Sequence, residues 1–486
     1  MIPTWATAMD PDGAKVAQRA QLFCDKMNEI CKYWMIPPLV RMDAVVDTSR
    51  KPPKPLLLPV TPSTVQTFAV GDPHGDMNHL LMLLLGSGIA EFAMPEDPLC
   101  YYDIVKRARV NWKDVDGDPT RYRLIPNLRL RPVPEGPCKE IIVLGDILDR
   151  GGFSDECLCL LAALAQEAAS SGQKYPQVRL LFGDHEMTAL SAEPNVTPNY
   201  KNTRCVCPPA IFDQEAVGSL LRYAISQGWM TYAYVAENGI VYSHSFFTRA
   251  FMAESARLLR CSDTQQSDVF KKVMSSRNPE TIAAYMEFLS TYKCPPADTP
   301  DSNYDTAVRE VINYFNCCLV NAAELIESVK DNASRLAEVQ AAVETLLMFD
   351  LGTEEHRPPI MARFEEPVVP LRAQVVGHTR LEKHLPATAA DLDQKAKEQY
   401  EESGDPFVSH IDPSAQHLLV DMQSSHGYNP DGFSYPRMVR IQPTGEVCVG
   451  MLWLEDGQPV PSAFRFSKEW DSTGLHPEDE WRWMRK

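Results

Sequence analysis

The sequence lacks any long hydrophobic run and has no excess of positive charge, and these two absences exclude several classes of protein. A helix that crosses a bilayer needs about 20 apolar residues in succession, and runs such as Leu80–Leu85 are far shorter. The 486 residues include 47 Lys+Arg against 65 Asp+Glu, a net charge of −18. Such a charge repels phosphate backbones. We therefore expect neither a membrane span nor a nucleic-acid partner.

An export signal and a thiolate metal site are also missing from the pattern. The N-terminus shows no basic segment followed by an apolar run, so we expect no Sec signal peptide. The thirteen cysteines are an odd number and scattered, which favours reduced thiols. Cys205-Val-Cys207 and Cys317-Cys318 lack the spaced partners of a structural zinc site. The cytoplasm is the default expectation, and delivery into a host cell stays open.

The composition is that of a globular protein, with 44% hydrophobic and 23% charged residues. Apolar positions at helical spacing predict a helix over 14–36, and a proline-rich stretch at 51–62 predicts an extended linker. A long, mostly helical block reads as an insertion into a series of strands. The predicted organisation is an N-terminal helical appendage with its linker (1–60), a main domain (61–456) with a helical insertion (about 250–350), and a C-terminal tail (457–486).

Short β-branched runs recur along the main domain. They are nearly continuous in apolar residues, which is typical of strands buried on both faces. They lie at 64–72, 139–146, 178–184, 239–244, 373–378 and 417–422. Two helical patterns, 155–170 and 213–227, lie between them, and a last pair of runs around Pro443-Thr444-Gly445 predicts a hairpin. The fold class is therefore α/β.

Five of these runs end in a cluster of chemically active residues. The clusters are Gly71-Asp72-Pro73-His74-Gly75, Gly145 to Gly152 (GDILDRGG), Gly183-Asp184-His185-Glu186, Ser243-His244-Ser245 and Gly377-His378-Thr379. In open α/β sheets, sites form in the crevice beyond the carboxyl ends of the strands. We therefore expect the carboxylates and imidazoles to meet there. This donor set suits Mn, Fe or Zn better than Ca.

The same residues suggest roles in phosphoryl chemistry. Two divalent ions need a bridging carboxylate, and Asp146 is the natural bridge. Arg150 offers a planar fork for two phosphate oxygens. His185 is predicted to protonate the leaving group, with Asp149 orienting its ring.

In this order, the motifs resemble those of the calcineurin-like metallophosphoesterases. The Asp-Arg-Gly after the second Gly-Asp and the His-Glu of the third motif resemble the phosphoprotein phosphatase (PPP) family, in its bacterial type. The resemblance covers about 60–450. It implies a core of two packed mixed β-sheets flanked by helices, with the helical block as an insertion.

The resemblance also implies roles for individual residues. Asp72, His74 and Asp146 would hold one divalent metal ion, and Asp146, Asp184, His244 and His378 a second. Arg150 and Arg363 would bind phosphate, and His185 with Asp149 would act as proton donor and its orienting partner. The implied activity is hydrolysis of phosphomonoesters on phosphoproteins, by in-line attack of a metal-bound hydroxide. Manganese is the expected metal, with iron or zinc as alternatives, and the helical insertion could bind a protein regulator.

Two positions depart from the family pattern. The third motif has Asp184 where the family has Asn, which adds negative charge and removes an N–H donor. The fourth motif reads His244-Ser245-Phe246 in place of the usual His-Gly-Gly. Two other functions therefore stay open: a nucleotide or diadenosine-polyphosphate phosphohydrolase, and a non-catalytic protein that binds a phosphopeptide or another partner through a degenerate site.

Overall fold

The structure is a computed structural model that describes part of the chain. The described residues are 35–36, 65–75, 80, 83–84, 89–92, 130–133, 140–148, 154–170, 177–191, 214–260, 268–274, 278–292, 301–343, 347, 359, 369, 371, 373–378, 416–420 and 437–452.

Thirteen strands and eight helices occur among these residues. The strands β1 to β13 are, in order, Met35–Ile36, Thr67–Val70, Ala90–Phe92, Leu130–Pro132, Glu140–Val143, Gln177–Leu181, Met230–Thr231, Ala233–Val235, Val241–Ser243, Ala373–Val376, Gln416–Leu419, Arg437–Ile441 and Val447–Leu452. The helices α1 to α8 are Ser154–Ser170, Asp184–Ser191, Gln214–Ser226, Arg249–Arg260, Asp268–Val273, Pro279–Thr291, Ser302–Val329 and Ala333–Val343.

The strands form two mixed sheets and a small two-stranded one. The large sheet has the order β1-β13-β12-β2-β5-β6-β7, in which β2, β5, β6 and β7 run parallel and β12 pairs with β2 antiparallel. The second sheet has the order β11-β10-β9-β8, with its first three strands parallel. The predicted α/β fold of mixed sheets with flanking helices is confirmed. The predicted hairpin is β12 and β13, which pair antiparallel.

The apolar runs are continuous because the strands are buried on both faces. In β2, Phe68 belongs to the core cluster that the helices share, whereas its neighbour Ala69 belongs to a second cluster. That second cluster lies between the sheets, because it also contains Tyr242 and Val375 of the other sheet. Successive side chains of a strand point to opposite faces. A strand in which every second residue was polar would therefore bring polar side chains into one of the two apolar clusters.

The helices of 249–343 pack onto the β-sheet core through aromatic residues. Phe315 of α7 stacks against Tyr232, with ring centroids 5.4 Å apart, and lies 5.2 Å from Phe251 of α4. On the next residue of α7, Asn316 Oδ1 accepts hydrogen bonds from the backbone of Tyr232 and Ala233, at 2.9 and 3.2 Å. This amide fixes the long helix to the link between β7 and β8. Among the described residues, no helix combines the length and apolarity that a bilayer span requires.

The two ends of the chain bear less directly on the site. Met35–Ile36, at the end of the run interpreted as a helix, pairs with β13 as a strand, and Pro37-Pro38 follow it directly. The rest of the N-terminal appendage and the whole predicted tail at 457–486 lie outside the described residues.

Candidate metal centre

Five strand ends from two sheets deliver the site residues to one place. Asp72, Asp146 and Asp184 follow β2, β5 and β6, which are parallel neighbours in the large sheet. His244 and His378 follow β9 and β10, which are parallel neighbours in the second sheet. The two sheets pack against each other, so their carboxyl ends open into the same crevice, as the sequence pattern indicates.

One group of four ligand atoms comes from Asp146, Asp184, His244 and His378. Their ligand atoms all lie within 4.8 Å of one another. Asp184 Oδ1 is 3.2 Å from both His244 Nε2 and His378 Nδ1. His244 Nε2 is also 3.2 Å from Asp146 Oδ1. These are the four residues that the resemblance assigns to the second metal ion.

A second group shares Asp146 but differs from the expected set. It consists of His74, Asp146 and His185. Asp146 Oδ2 lies 3.4 Å from His74 Nε2 and 3.7 Å from His185 Nε2. Asp146 therefore faces one group with each carboxylate oxygen, which is the geometry a bridging ligand needs.

Asp72 is absent from both groups among the described residues. Its Oδ2 accepts a hydrogen bond of 2.7 Å from the backbone N–H of His378, and its Oδ1 lies 3.9 Å from His244 Nδ1. In this structure Asp72 therefore ties the two sheets together at the site.

Two imidazoles are oriented by backbone carbonyls. His244 Nδ1 lies 2.7 Å from the carbonyl oxygen of Leu144, and His74 Nδ1 lies 3.3 Å from that of Leu148. A carbonyl can only accept, so each Nδ1 carries a hydrogen, and each Nε2 faces the carboxylates, where it would offer its lone pair to a metal ion in place of a proton. Such outer partners fix the ring orientation that a metal ligand needs.

Three of the site residues adopt a left-handed backbone conformation that non-glycine residues rarely take. The φ angles are +46° for His74, +46° for Asp146 and +56° for His378. Such a conformation costs about 1–3 kcal/mol and persists where its surroundings enforce it. Here the backbone N–H of His74 donates to the carbonyl of Asp146 at 2.7 Å, and that of Gly75 to the carbonyl of Ile147 at 2.8 Å. The first two motifs therefore hold each other in the strained conformation.

Two motif glycines leave room for the carboxylates. A Cβ atom on Gly377 would lie 1.9 Å from Asp72 Oδ1, and one on Gly183 would lie 2.3 Å from Asp146 Oδ1. Neither distance is compatible with a side chain, so these positions accept only glycine while the carboxylates keep their places.

The electrostatics of the cluster favour a cation. Burial raises the pKa of Asp184, but the imidazoles of His378 and His185 outweigh it and hold that pKa well below its usual value. Burial lowers the pKa of His244, but the carboxylates of Asp146 and Asp72 outweigh it and hold that pKa well above its usual value. Asp146 and Asp184 thus stay ionised and His244 is held protonated, and a divalent cation would compete with this proton for the same place.

Glu186 has a structural role that the sequence analysis did not assign. Its side chain is fully buried, and its two oxygens accept four backbone hydrogen bonds. Burial and the Asp146 carboxylate raise the pKa of Glu186 to about 7. In the sequence, only its position directly after His185 in the third motif pointed to this residue. Its four hydrogen-bond donors come from loops that the fold brings together.

The site is closed on one side and open on the other. His74, Asp146 and His244 are almost completely buried, whereas the side chains of Asp184 and His378 keep 20% and 15% of their surface exposed. A ligand from solvent would therefore meet Asp184 and His378 first. Asp149, Arg150 and Arg363, the predicted orienting and phosphate-binding residues, lie outside the described residues.

The donor set fits divalent metal ions of the manganese, iron or zinc type. It mixes anionic oxygens with imidazole nitrogens and contains no thiolate, and the Nε2 atoms of His74 and His244 are oriented by hydrogen bonds on the other ring nitrogen. Both ligand groups are built on strand ends, which hold their side chains with little freedom. The described residues thus contain a candidate metal centre, which the sequence motifs predicted.

Comparison with known protein families and with curated proteins gives no match. Among solved structures, the chain resembles a cold-active protein-tyrosine phosphatase of a psychrophilic Shewanella species, at 15% identity over 80% of each chain and a TM-score of 0.27. Another structure of a cold-active protein tyrosine phosphatase gives 15% identity, 80% and 79% coverage and a TM-score of 0.28. A TM-score this low does not establish a common fold.

Proposed function

We propose that this protein is a binuclear metal-dependent phosphatase of the PPP type that hydrolyses phosphomonoesters on phosphoproteins. The observation that carries the proposal is the position of Asp146. One of its oxygens lies 3.2 Å from His244 Nε2, and the other lies 3.4 Å from His74 Nε2. A carboxylate shared in this way by two groups of ligands is what a two-metal site requires.

Both sheets would contribute ligands to one ion, and the large sheet would contribute ligands to the other. Asp146, Asp184, His244 and His378 would hold one divalent ion, and His74 and Asp146 would hold the other, with Asp72 as the family ligand beside them. Two such ions, when bound, would polarise a phosphoryl group and activate a water for in-line attack. The residues of this chain would fix the positions of both ions, because each ligand sits at the end of a buried strand.

His185 is proposed to protonate the leaving group, with Asp149 as the residue that orients its ring. His185 is the second residue of α2. Its Nε2 lies 4.0 Å from Asp184 Oδ2 and 3.7 Å from Asp146 Oδ2. From this position beside two ligand carboxylates, its ring could deliver a proton to a leaving group held at the metal site. We assign phosphate binding to Arg150 and Arg363, whose guanidinium groups match two phosphate oxygens.

Asp184 supports a second candidate function, a non-catalytic protein that binds a partner through the metal site. Asp184 Oδ1 lies 3.2 Å from two imidazoles, so it is well placed as an anionic ligand. Unlike the Asn of the family, it cannot donate an N–H to phosphate, and it adds a negative charge beside an incoming dianion. Tight metal binding without turnover would favour this candidate.

The test is phosphate release from p-nitrophenyl phosphate and from matched phosphoserine and phosphotyrosine peptides. It compares Mn²⁺ with chelator, and the wild type with Asp146→Asn. We expect Mn²⁺-dependent turnover that falls by about a thousandfold in the variant, because the loss of a shared ligand disturbs both ions. The ratio between the peptides assigns the substrate class. Metal binding with no turnover on any substrate would contradict the phosphatase.

A further inference from the structure

Glu186 is the one fully buried glutamate in the described chain whose carboxylate is surrounded by backbone donors. Its Oε2 accepts from the N–H groups of Asp146 and Gly183, at 2.8 and 2.9 Å. Its Oε1 accepts from those of Ile147 and Leu148, at 2.9 and 3.0 Å. Three of these donors are consecutive residues of the loop that follows β5.

Consecutive N–H groups in such a turn form a concave nest that binds anions. The turn begins with Gly145 at φ +98° and Asp146 at φ +46°, both left-handed. Without an anion in it, this nest would leave buried N–H groups without acceptors, which costs about 1–3 kcal/mol for each. Glu186 places its two carboxyl oxygens in this nest from the first turn of α2, so the third motif closes the loop of the second.

We propose that Glu186 is a positioning residue that holds Asp146 in its left-handed conformation and so aims its carboxylate at both ligand groups. The inference deepens the proposed function, on which its consequence for metal binding rests. With the nest filled, Asp146 Oδ1 lies 3.2 Å from His244 Nε2 and Oδ2 lies 3.4 Å from His74 Nε2. A loop that relaxed to an ordinary conformation would turn this carboxylate away from one group or both.

The loop that follows β5 and the residues that follow β6 are in close contact. A Cβ atom on Gly183 would lie 2.7 Å from the backbone nitrogen of Asp146 and 2.9 Å from Glu186 Oε2. The backbone of the third motif therefore touches that of the second, and Glu186 fills the remaining space. A shift of this side chain would be transmitted to Asp146 directly.

The test compares Glu186→Gln with a matched control, Glu140→Gln. A carboxamide has one acceptor oxygen, and its NH₂ group would face two of the four N–H donors. Glu140 is also a buried glutamate, and it begins the strand whose other end leads to Asp146. We expect Mn²⁺ affinity, measured by calorimetry, to fall about 10- to 100-fold in E186Q and to stay unchanged in E140Q. Equal affinity in E186Q and the wild type, or an equal loss in E140Q, would overturn the proposal.

Two further measurements keep the test decisive. If E186Q does not fold, Glu186→Asp replaces it. The aspartate side chain is one methylene shorter and cannot span all four donors, so we expect weaker Mn²⁺ binding. Unchanged Mn²⁺ binding would overturn the proposal. In the wild type, hydrogen exchange at Asp146, Ile147 and Leu148 should be as slow as in β5, although these residues lie beyond the strand. Fast exchange at these residues would overturn the proposal for Glu186, whether or not the protein binds Mn²⁺. Slow exchange without Mn²⁺ binding would refute the proposed function alone.

Discussion

The Nε2 atom of His244 lies 3.2 Å from Oδ1 of Asp146, although the two residues come from different sheets. The contact is possible because Gly145 has no side chain: a Cβ atom there would lie 2.7 Å from His244 Nδ1. The spacing between the sheets therefore sets the geometry of the candidate metal centre. Substitutions that move one sheet relative to the other should therefore change the affinity for the metal ion.

Metal affinity should fall as the pH is lowered. The carboxylates of Asp146 and Asp72 hold the pKa of His244 well above its usual value of 6.5, so protons compete with the metal for this imidazole. We expect the Mn²⁺ dissociation constant to increase steadily between pH 8 and pH 6, with protons released on binding. Calorimetry in buffers of different ionisation enthalpy measures both. A dissociation constant independent of pH would contradict a histidine-ligated metal.

Replacing Asp184 by the family residue should separate metal binding from turnover. Affinity for divalent cations depends on ligand charge, so Asp184→Asn should weaken Mn²⁺ binding by roughly tenfold. It should also raise turnover at saturating Mn²⁺, because the negative charge beside the phosphate is removed and an N–H donor is added. Steady-state kinetics over a Mn²⁺ series provide both values. Tighter Mn²⁺ binding in D184N would show that Asp184 is not a ligand.

A methyl group at Gly377 should disturb the site more than the fold. Its Cβ would lie 1.9 Å from Asp72 Oδ1, so Asp72 would have to release the backbone of His378. Gly228→Ala is the control: Gly228 has a left-handed backbone, at φ +69°, which strains an alanine, but nothing lies within 4 Å of its Cβ. Both variants should lose about 1–2 kcal/mol or more of unfolding free energy. Only Gly377→Ala should lose Mn²⁺ affinity; equal Mn²⁺ binding in the two variants would be evidence against this role of Asp72.

The buried Glu140 should make the protein less stable as the pH rises. Burial raises its pKa above the usual 4.5, despite the hydrogen bonds that Tyr234 and Thr67 donate to it. The folded state therefore holds this proton more tightly than the unfolded state, and the stability this gives is present below pH 4.5 and lost as the pH rises through the folded pKa. Urea unfolding at pH 5 and pH 8 should show Glu140→Gln gaining stability relative to the wild type at the higher pH. A constant difference would contradict the raised pKa.

The strand framework could be predicted because central strands such as β2, β5 and β10 are buried on both faces. Phe68 and Ala69 are neighbours in sequence but fill different cores, which requires a continuous apolar run that is visible in the sequence. The short strand Ala90–Phe92 and its partner Leu130–Pro132 were missed. They are three residues long and separated by a segment without periodicity, so no local pattern marks them.

The candidate site could be predicted in its residue types but not in its detailed grouping. The five polar strand ends indicated Asp146, Asp184, His244 and His378, and the structure brings these four together. It groups His185 with His74, and Asp72 instead bonds to the backbone of His378. The orientations of these side chains depend on left-handed backbone conformations and on loop contacts across motifs, neither of which has a sequence signature.

The number of bound metal ions tests the two-metal proposal most directly. Purified protein is equilibrated with Mn²⁺, freed of excess metal and measured by plasma mass spectrometry, next to His244→Asn as the variant that lacks one ligand. We expect two equivalents per chain in the wild type and about one in the variant, because His74 and its group come from other elements. Fewer than two equivalents in the folded wild-type protein, or the same content in His244→Asn, would contradict a binuclear centre at these strand ends.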